Sequence, residues 1–187
     1  MSTRRDPEAK RRAIVDAAIA AIAEVGAGQV THRMIAARAG VALGSTTYYF
    51  PTLDDLVATA LREATEATRV LLESWAEELT ASRDVPATFV ELAESYLTDR
   101  RRALLEYEVC LAAARAPELR PAAQLWIDGL RGICARLAGG PERGFALAAM
   151  VDGVLLQALV TDGPLDADGL RAGVAGLVSP RTTAGST

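Results

Sequence analysis

The chain is poor in the residues that most chemistry needs. It has a single histidine, His32, two cysteines, and aromatic side chains at only 5% of its 187 positions. One histidine rules out a His-pair metal site and removes the usual general base. HExxH, GxSxG, the GxxxxGK phosphate loop and CxxC are all missing. A catalyst is therefore the disfavoured reading, and no cofactor or metal is expected. Asp152, Asp162, Asp166 and Asp168 lack EF-hand spacing and are expected to cap helices or lie exposed. Cys110 and Cys134 stand singly inside apolar helical patterns, which excludes a disulfide framework and suits a reducing compartment. The first twenty residues have no continuous apolar segment of the signal-peptide kind, and no later apolar stretch is expected to run the roughly 18 residues needed to span a bilayer. The expectation is a soluble cytoplasmic protein with no membrane partner. Alternating strand patterns with Asn-Gly or Asp-Gly turns are absent too, so the fold class is all-α.

What is present is apolar bulk and an uneven charge. Half of the residues are hydrophobic, enough for a substantial core. The net charge of −4 conceals a division at Phe50: residues 1–50 carry +3 before His32 is counted, and the remainder carries −7. A local basic surface suffices to meet phosphates, and an acidic remainder limits indiscriminate adhesion to nucleic acid.

Helical periodicity accounts for almost the whole chain. Ile14, Ala17, Ala18, Ala21, Ile22 and Val25 form a stripe at 3.6-residue spacing, so a helix is predicted over 10–25, stopped by Gly26 and Gly28. Thr31 suits the N-cap of a short helix that buries Met34, Ile35 and Ala39 and ends at Gly40. A third short helix, 43–50, is closed by Pro51. Asp54 and Asp55 open a long helix that keeps its apolar pattern through Trp75 to Leu79. Pro86, Pro117, Gly139-Gly140-Pro141 and Gly163-Pro164 divide the rest into helices near 86–100, 102–115, 118–138, 142–161 and 166–177. The domain reading is 1–52, 53–178 and a polar tail, 179–187, expected to be disordered.

Two short helices around a tight turn at Gly40 have helix-turn-helix geometry, which holds the second helix out from the body for entry into the roughly 12 Å major groove. On that helix Thr46 and Phe50 face inward. Leu43, Gly44, Ser45, Thr47, Tyr48 and the terminal Tyr49 are left toward the groove or its flanking phosphates. Ahead of it, the arm containing Arg4, Arg5, Lys10 and Arg11 is suited to phosphate or minor-groove contact.

The run V-T-H-R-M-I-A-A-R-A-G-V from Val30 to Val41, continuing as G-S-T-T-Y-Y-F-P-T-L-D-D-L from Gly44 to Leu56, resembles the N-terminal domain of the tetracycline-repressor (TetR) family. That resemblance implies a transcriptional regulator, with Thr31 and His32 approaching phosphates, Arg33 reaching a base edge and the 43–49 helix reading double-stranded operator DNA. The sequence departs from the family pattern at Ala42, in place of a serine cap, at Thr47, in place of a frequent tyrosine, and at Leu53, in place of a frequent lysine.

The resemblance also implies a small-molecule effector held among the helices that follow. Trp75, Tyr96, Tyr107, Cys110 and Trp126 are the candidates for its pocket, and such residues also make ordinary core. A pocket of these groups suits an apolar or aromatic ligand. The segment 142–161 is apolar nearly all round and must be buried on more than one side. Ala146, Ala149, Gly153 and Leu156, with Leu170 and Val174 from the last helix, are expected to meet their symmetry mates in a four-helix homodimer seam. The expected function is a repressor released from DNA by the effector; the alternative is a constitutive DNA-binding protein with none.

Overall fold

The computed structural model describes residues 6–178. Arg4, Arg5 and the 179–187 tail lie outside them. The described residues form α1 (Pro7–Val25), α2 (His32–Ala39), α3 (Leu43–Tyr49), α4 (Leu53–Ala81), α5 (Val85–Thr98), α6 (Arg100–Ala112), α7 (Arg120–Ala138), α8 (Pro141–Thr161) and α9 (Ala167–Leu177), with no strand among them. Single 3-10 turns occupy Ala27–Gln29 and Pro117–Leu119. α1 begins three residues before the expected start at residue 10 because Asp6 caps it, accepting from the Glu8 amide at 3.0 Å, and Pro7 supplies a first residue with no amide to satisfy.

The chain falls into two compact units. The first comprises the described residues up to Arg69 together with Leu104–Leu125, and the second Val70–Ala103 with the described residues from Trp126 onward. This differs from a division at residue 52. α4, α6 and α7 each contribute to both units. The residues that move the division are mostly alanines: Val109, Ala112, Ala113, Ala116, Leu119, Ala122 and Ala123 belong to the same buried core as Ile14, Ile22, Ile35, Phe50 and Leu56. Alanine faces carry little apolar signal in a sequence, yet allow helices to approach closely.

In the first unit, α1 packs on α2 and α2 on α3. α1 buries Ile14, Val15, Ala18 and Ile22 almost completely, worth about 1.5–3 kcal/mol for each large side chain. Arg38 pairs with Glu24, tying α2 to α1 on the surface.

In the second unit, α9 packs on α5 and α8. Asp84 and Asp166 cap α5 and α9, each accepting from the amide three residues on. Arg100 donates to the Ala158 carbonyl at 3.2 Å and to the Leu159 carbonyl, and pairs with Asp162 at 3.1 Å, so one guanidinium satisfies the C-terminal end of α8. Where α7 and α8 cross, a Cβ built on Gly144 would lie 2.4 Å from the Ala135 Cα. Leu170 and Val174 correct the expectation for the dimer seam: both are completely buried within the unit, and therefore have no surface to offer a partner. By length and composition α8 is also long and apolar enough to cross a membrane, contrary to the sequence reading. Part of that apolar surface is buried, since Leu147, Val151 and Leu155 are inaccessible to solvent.

Candidate functional site

The first candidate surface is built by the turn between α2 and α3. Thr31 caps α2, its hydroxyl accepting from the Met34 amide at 3.2 Å. At the other end the Val41 amide donates to the Ala36 carbonyl and the Gly40 amide to Ala37, a Schellman closure requiring the left-handed backbone of Gly40 at φ 65°. α3 is anchored from beneath: Thr46 is fully buried with its hydroxyl donating to the Leu43 carbonyl at 2.8 Å, and Phe50 is buried behind it. Because those two residues take the inner face, Leu43, Gly44, Thr47 and Tyr48 are exposed, Tyr48 at 80%. Ser45 and Tyr49 are half-buried, and Tyr49 meets Tyr48 edge to face with ring centroids 5.2 Å apart. A Cβ on Gly44 would meet nothing within 4 Å, so that part of the helix is open to a close approach. Ala42 stands at the N-cap with no side-chain bond, and no hydroxyl replaces the one it lacks.

Around this helix the other candidates separate. Arg33 and Thr31 are exposed and Lys10 is half-buried. His32 is half-buried, with both ring nitrogens shielded from solvent and without a partner among the described residues, so its ring does not present a donor outward. Met34, expected inside, is instead 39% exposed. Arg11 is the larger correction. Its guanidinium bonds Glu63 at 2.8 Å and lies 5.4 Å from the centre of the Phe50 ring, bracing α1, α4 and the end of α3. A guanidinium held in that way is committed inside its own unit and is not free for phosphate.

The second candidate site lies wholly in the second unit. Trp75 of α4, Tyr96 of α5 and Trp126 of α7 form a three-ring cluster with centroids 6.0–6.2 Å apart, Tyr96 stacked on Trp126 and Trp75 edge-on to both. The indole of Trp126 donates to Asp152 of α8 at 3.0 Å. Beside the cluster is a cavity of about 220 Å³ with Trp75 and Tyr96 in its wall. Leu71, Leu92 and Ala103 supply its apolar lining, and Ser74, Ser95, Glu78, Asp99 and Arg102 its polar groups. Tyr107 and Cys110 are not part of it: they belong to the first unit, where Cys110 packs against the core. The carboxylates were overlooked in the sequence, although a signal existed. Glu78 follows Trp75 by three positions and Asp99 follows Tyr96 by three, so each acid shares a helical face with an aromatic ring.

Burial and the neighbouring Asp152 carboxylate push the Cys134 thiol up to about 12. Among the described residues there is no group of three or more His, Cys, Asp or Glu side chains placed to hold a metal.

The outer face of α8 exposes Phe145, Ala146, Ala149, Leu156 and Val160, and a Cβ on Gly153 would meet nothing within 4 Å.

Residues 14–60 match the family model for bacterial regulatory proteins of the tetR family, and residues 80–180 match a tetracyclin repressor-like C-terminal domain. A TetR-family protein of Streptomyces coelicolor A3 is 38% identical, with a TM-score of 0.68 over 91% of this chain and 99% of that one. The multidrug binding protein EbrR complexed with malachite green is 39% identical, with a TM-score of 0.65 over 91% of this chain and 98% of that one. EbrR complexed with ethidium is 40% identical, with a TM-score of 0.60 over 93% and 100%. No curated protein matches the chain.

Proposed function

The chain belongs to the TetR family of DNA-binding transcriptional regulators, and from that premise we propose that it is a homodimeric, non-catalytic, cytoplasmic repressor released from a near-palindromic operator by a small organic effector. The observation that carries this reading is the α3 face. Its inner residues, Thr46 and Phe50, are locked into the core, while Leu43, Thr47 and Tyr48 are exposed, and the contacts of Thr47 with the Gly44 carbonyl and of Tyr48 with Tyr49 stay within the end of the chain that carries α3 and leave the outer face open. Hydroxyls suit phosphate or base-edge contacts, Leu43 suits a thymine methyl, and exposed Arg33 suits a guanine edge. One helix of seven residues touches too few base pairs to specify a site, so two must act together on half-sites about one helical turn apart.

The cavity beside Trp75 and Tyr96 is the site proposed for the effector, and the relatives crystallised with malachite green and ethidium support a sensor role. α4 starts two residues after Pro51 and carries Trp75, Leu71 and Glu78 of the cavity wall, which makes it the candidate lever. An effector acts only if it binds better to a conformation whose recognition helices are wrongly spaced for successive grooves. A coupling of about 1–3 kcal/mol would lower operator affinity roughly 5–150-fold, and operator must then weaken effector binding by the same factor. The test is calorimetric: an effector found by thermal-shift screening is titrated into free protein and into protein saturated with operator. Equal affinities would remove the sensor role and leave a constitutive DNA-binding protein.

A further inference from the structure

The cavity is not neutral, and its charge is placed against aromatic faces. Trp75 and Glu78 lie one turn apart on α4, Tyr96 and Asp99 one turn apart on α5 and at its end, and all four line the same space. Glu78 is held in position by the Ser74 hydroxyl, which donates to it at 2.9 Å. Asp99 accepts from the Arg102 amide at 3.1 Å, capping α6 with one oxygen. A basic side chain also borders the space, Arg102, so the lining carries two carboxylates against one guanidinium. Arg100, next in the chain to Asp99, is not in the lining and pairs with the end of α8 and Asp162. The ring faces and the carboxylates favour the same kind of guest, because the negative face of an indole or phenol ring attracts a cation as the acids do. At about 220 Å³ the cavity is below the roughly 300–1,000 Å³ of sites that enclose drug-sized ligands, so a guest would lie partly exposed, as a flat molecule can.

We propose that this cavity selects a planar aromatic cation, with Glu78 and Asp99 as the charge-selecting residues and Trp75 and Tyr96 as the stacking surface. The inference rests on the effector reading for its regulatory consequence, but its binding chemistry is testable without DNA. The chain has two tryptophans, Trp75 and Trp126, and both belong to the ring cluster, so intrinsic tryptophan fluorescence reports on this site alone.

The full-length protein, free of DNA, is titrated at pH 7.5 with proflavin, a planar cation, and with acridine, the same ring system uncharged at that pH. Saturable quenching is expected for both, with proflavin about tenfold tighter. Glu78→Gln keeps an acceptor for Ser74 and Asp99→Asn keeps a cap for α6, so both variants should fold. Each should weaken proflavin about three- to tenfold and leave acridine unchanged, whereas Arg102→Gln should strengthen proflavin. Equal affinity for the two probes, no quenching by proflavin, or variants that shift both probes alike would overturn the proposal. These outcomes separate from failure of the effector reading. Loss of charge preference in a protein whose operator binding still responds to an effector removes this inference only; a charge-selective cavity whose occupation leaves operator affinity unmoved removes only the sensor role.

Discussion

Arginine does different work at different positions in the first unit, and the difference is measurable. Arg33 is exposed on the first turn of α2 beside the reading helix, and Arg33→Ala should cost about 1–3 kcal/mol on operator while relaxing preference at one position per half-site. Equal losses on operator and random DNA at fixed salt would reduce it to a phosphate contact. Arg11 bonds Glu63 and covers Phe50 instead. Arg11→Ala should therefore lower stability, by only about 0.5–1 kcal/mol because the pair is partly solvated, and leave the slope of log K against log salt unchanged. A slope reduced by about one would return Arg11 to the phosphates. Cys134 carries a prediction in pH. Its thiol is pushed up to about 12 from an ordinary value of 9.0, so between those limits the unfolded chain loses a proton that the folded chain keeps. Stability from this group is complete below pH 9 and is lost as pH rises toward 12, at up to about 1.4 kcal/mol per pH unit. Denaturant titrations from pH 8 to 11 should show a shallower decline for Cys134→Ala than for the parent; identical slopes would refute the assignment.

Two helices expose the limits of local pattern. α3 is short, and its N-cap, Ala42, has the extended backbone of a cap but no oxygen to complete it. Ala42→Ser should stabilise the protein by about 0.5–2 kcal/mol, and a gain near 1 kcal/mol should raise Tm by roughly 2–4 °C. An unchanged Tm would mean that water already serves the free amides equally well. At the α7–α8 crossing the missing side chain is the structure. A Cβ on Gly144 would fall within 2.6 Å of both Cα and N of Ala135, which are backbone atoms that cannot step aside. Gly144→Ala should destabilise by about 1–3 kcal/mol through overpacking, even though alanine is the better helix former. A more stable variant in urea unfolding would show that the helices separate easily there.

For the whole molecule the decisive variant is Gly153→Leu. The space beside Gly153 is open, so the larger side chain should leave each chain folded, with the parent's far-ultraviolet dichroism. If the exposed α8 face of Ala146, Ala149, Gly153 and Leu156 forms the seam with a second copy, the same side chain must hold the two helices apart. Sedimentation should then give a folded monomer with poor operator affinity. A persistent wild-type dimer would move the seam elsewhere, and a misfolded chain would show that Gly153 is packed within its own unit.

The all-helical class and the helix-turn-helix were legible in the sequence because they depend on local rules. Apolar spacing, Thr31 as cap, Gly40 as stop and Pro51 after Phe50 act within a few residues, and each left its mark there. The same holds for Thr46 and Phe50, whose four-residue separation put them on one face before any neighbour was known. Tertiary structure decided what depends on neighbours. It placed Cys110 and the alanine-rich end of α6 in the first unit, buried Leu170 and Val174 that an apolar stripe alone could equally have turned outward, and drew Arg11 onto Glu63 and Phe50. It also brought Glu78 and Asp99 beside Trp75 and Tyr96, which lie on different helices. Periodicity tells which residues share a face; what that face meets is fixed by the packing of segments far apart in the chain, where small residues that carry almost no sequence signal set how closely helices approach.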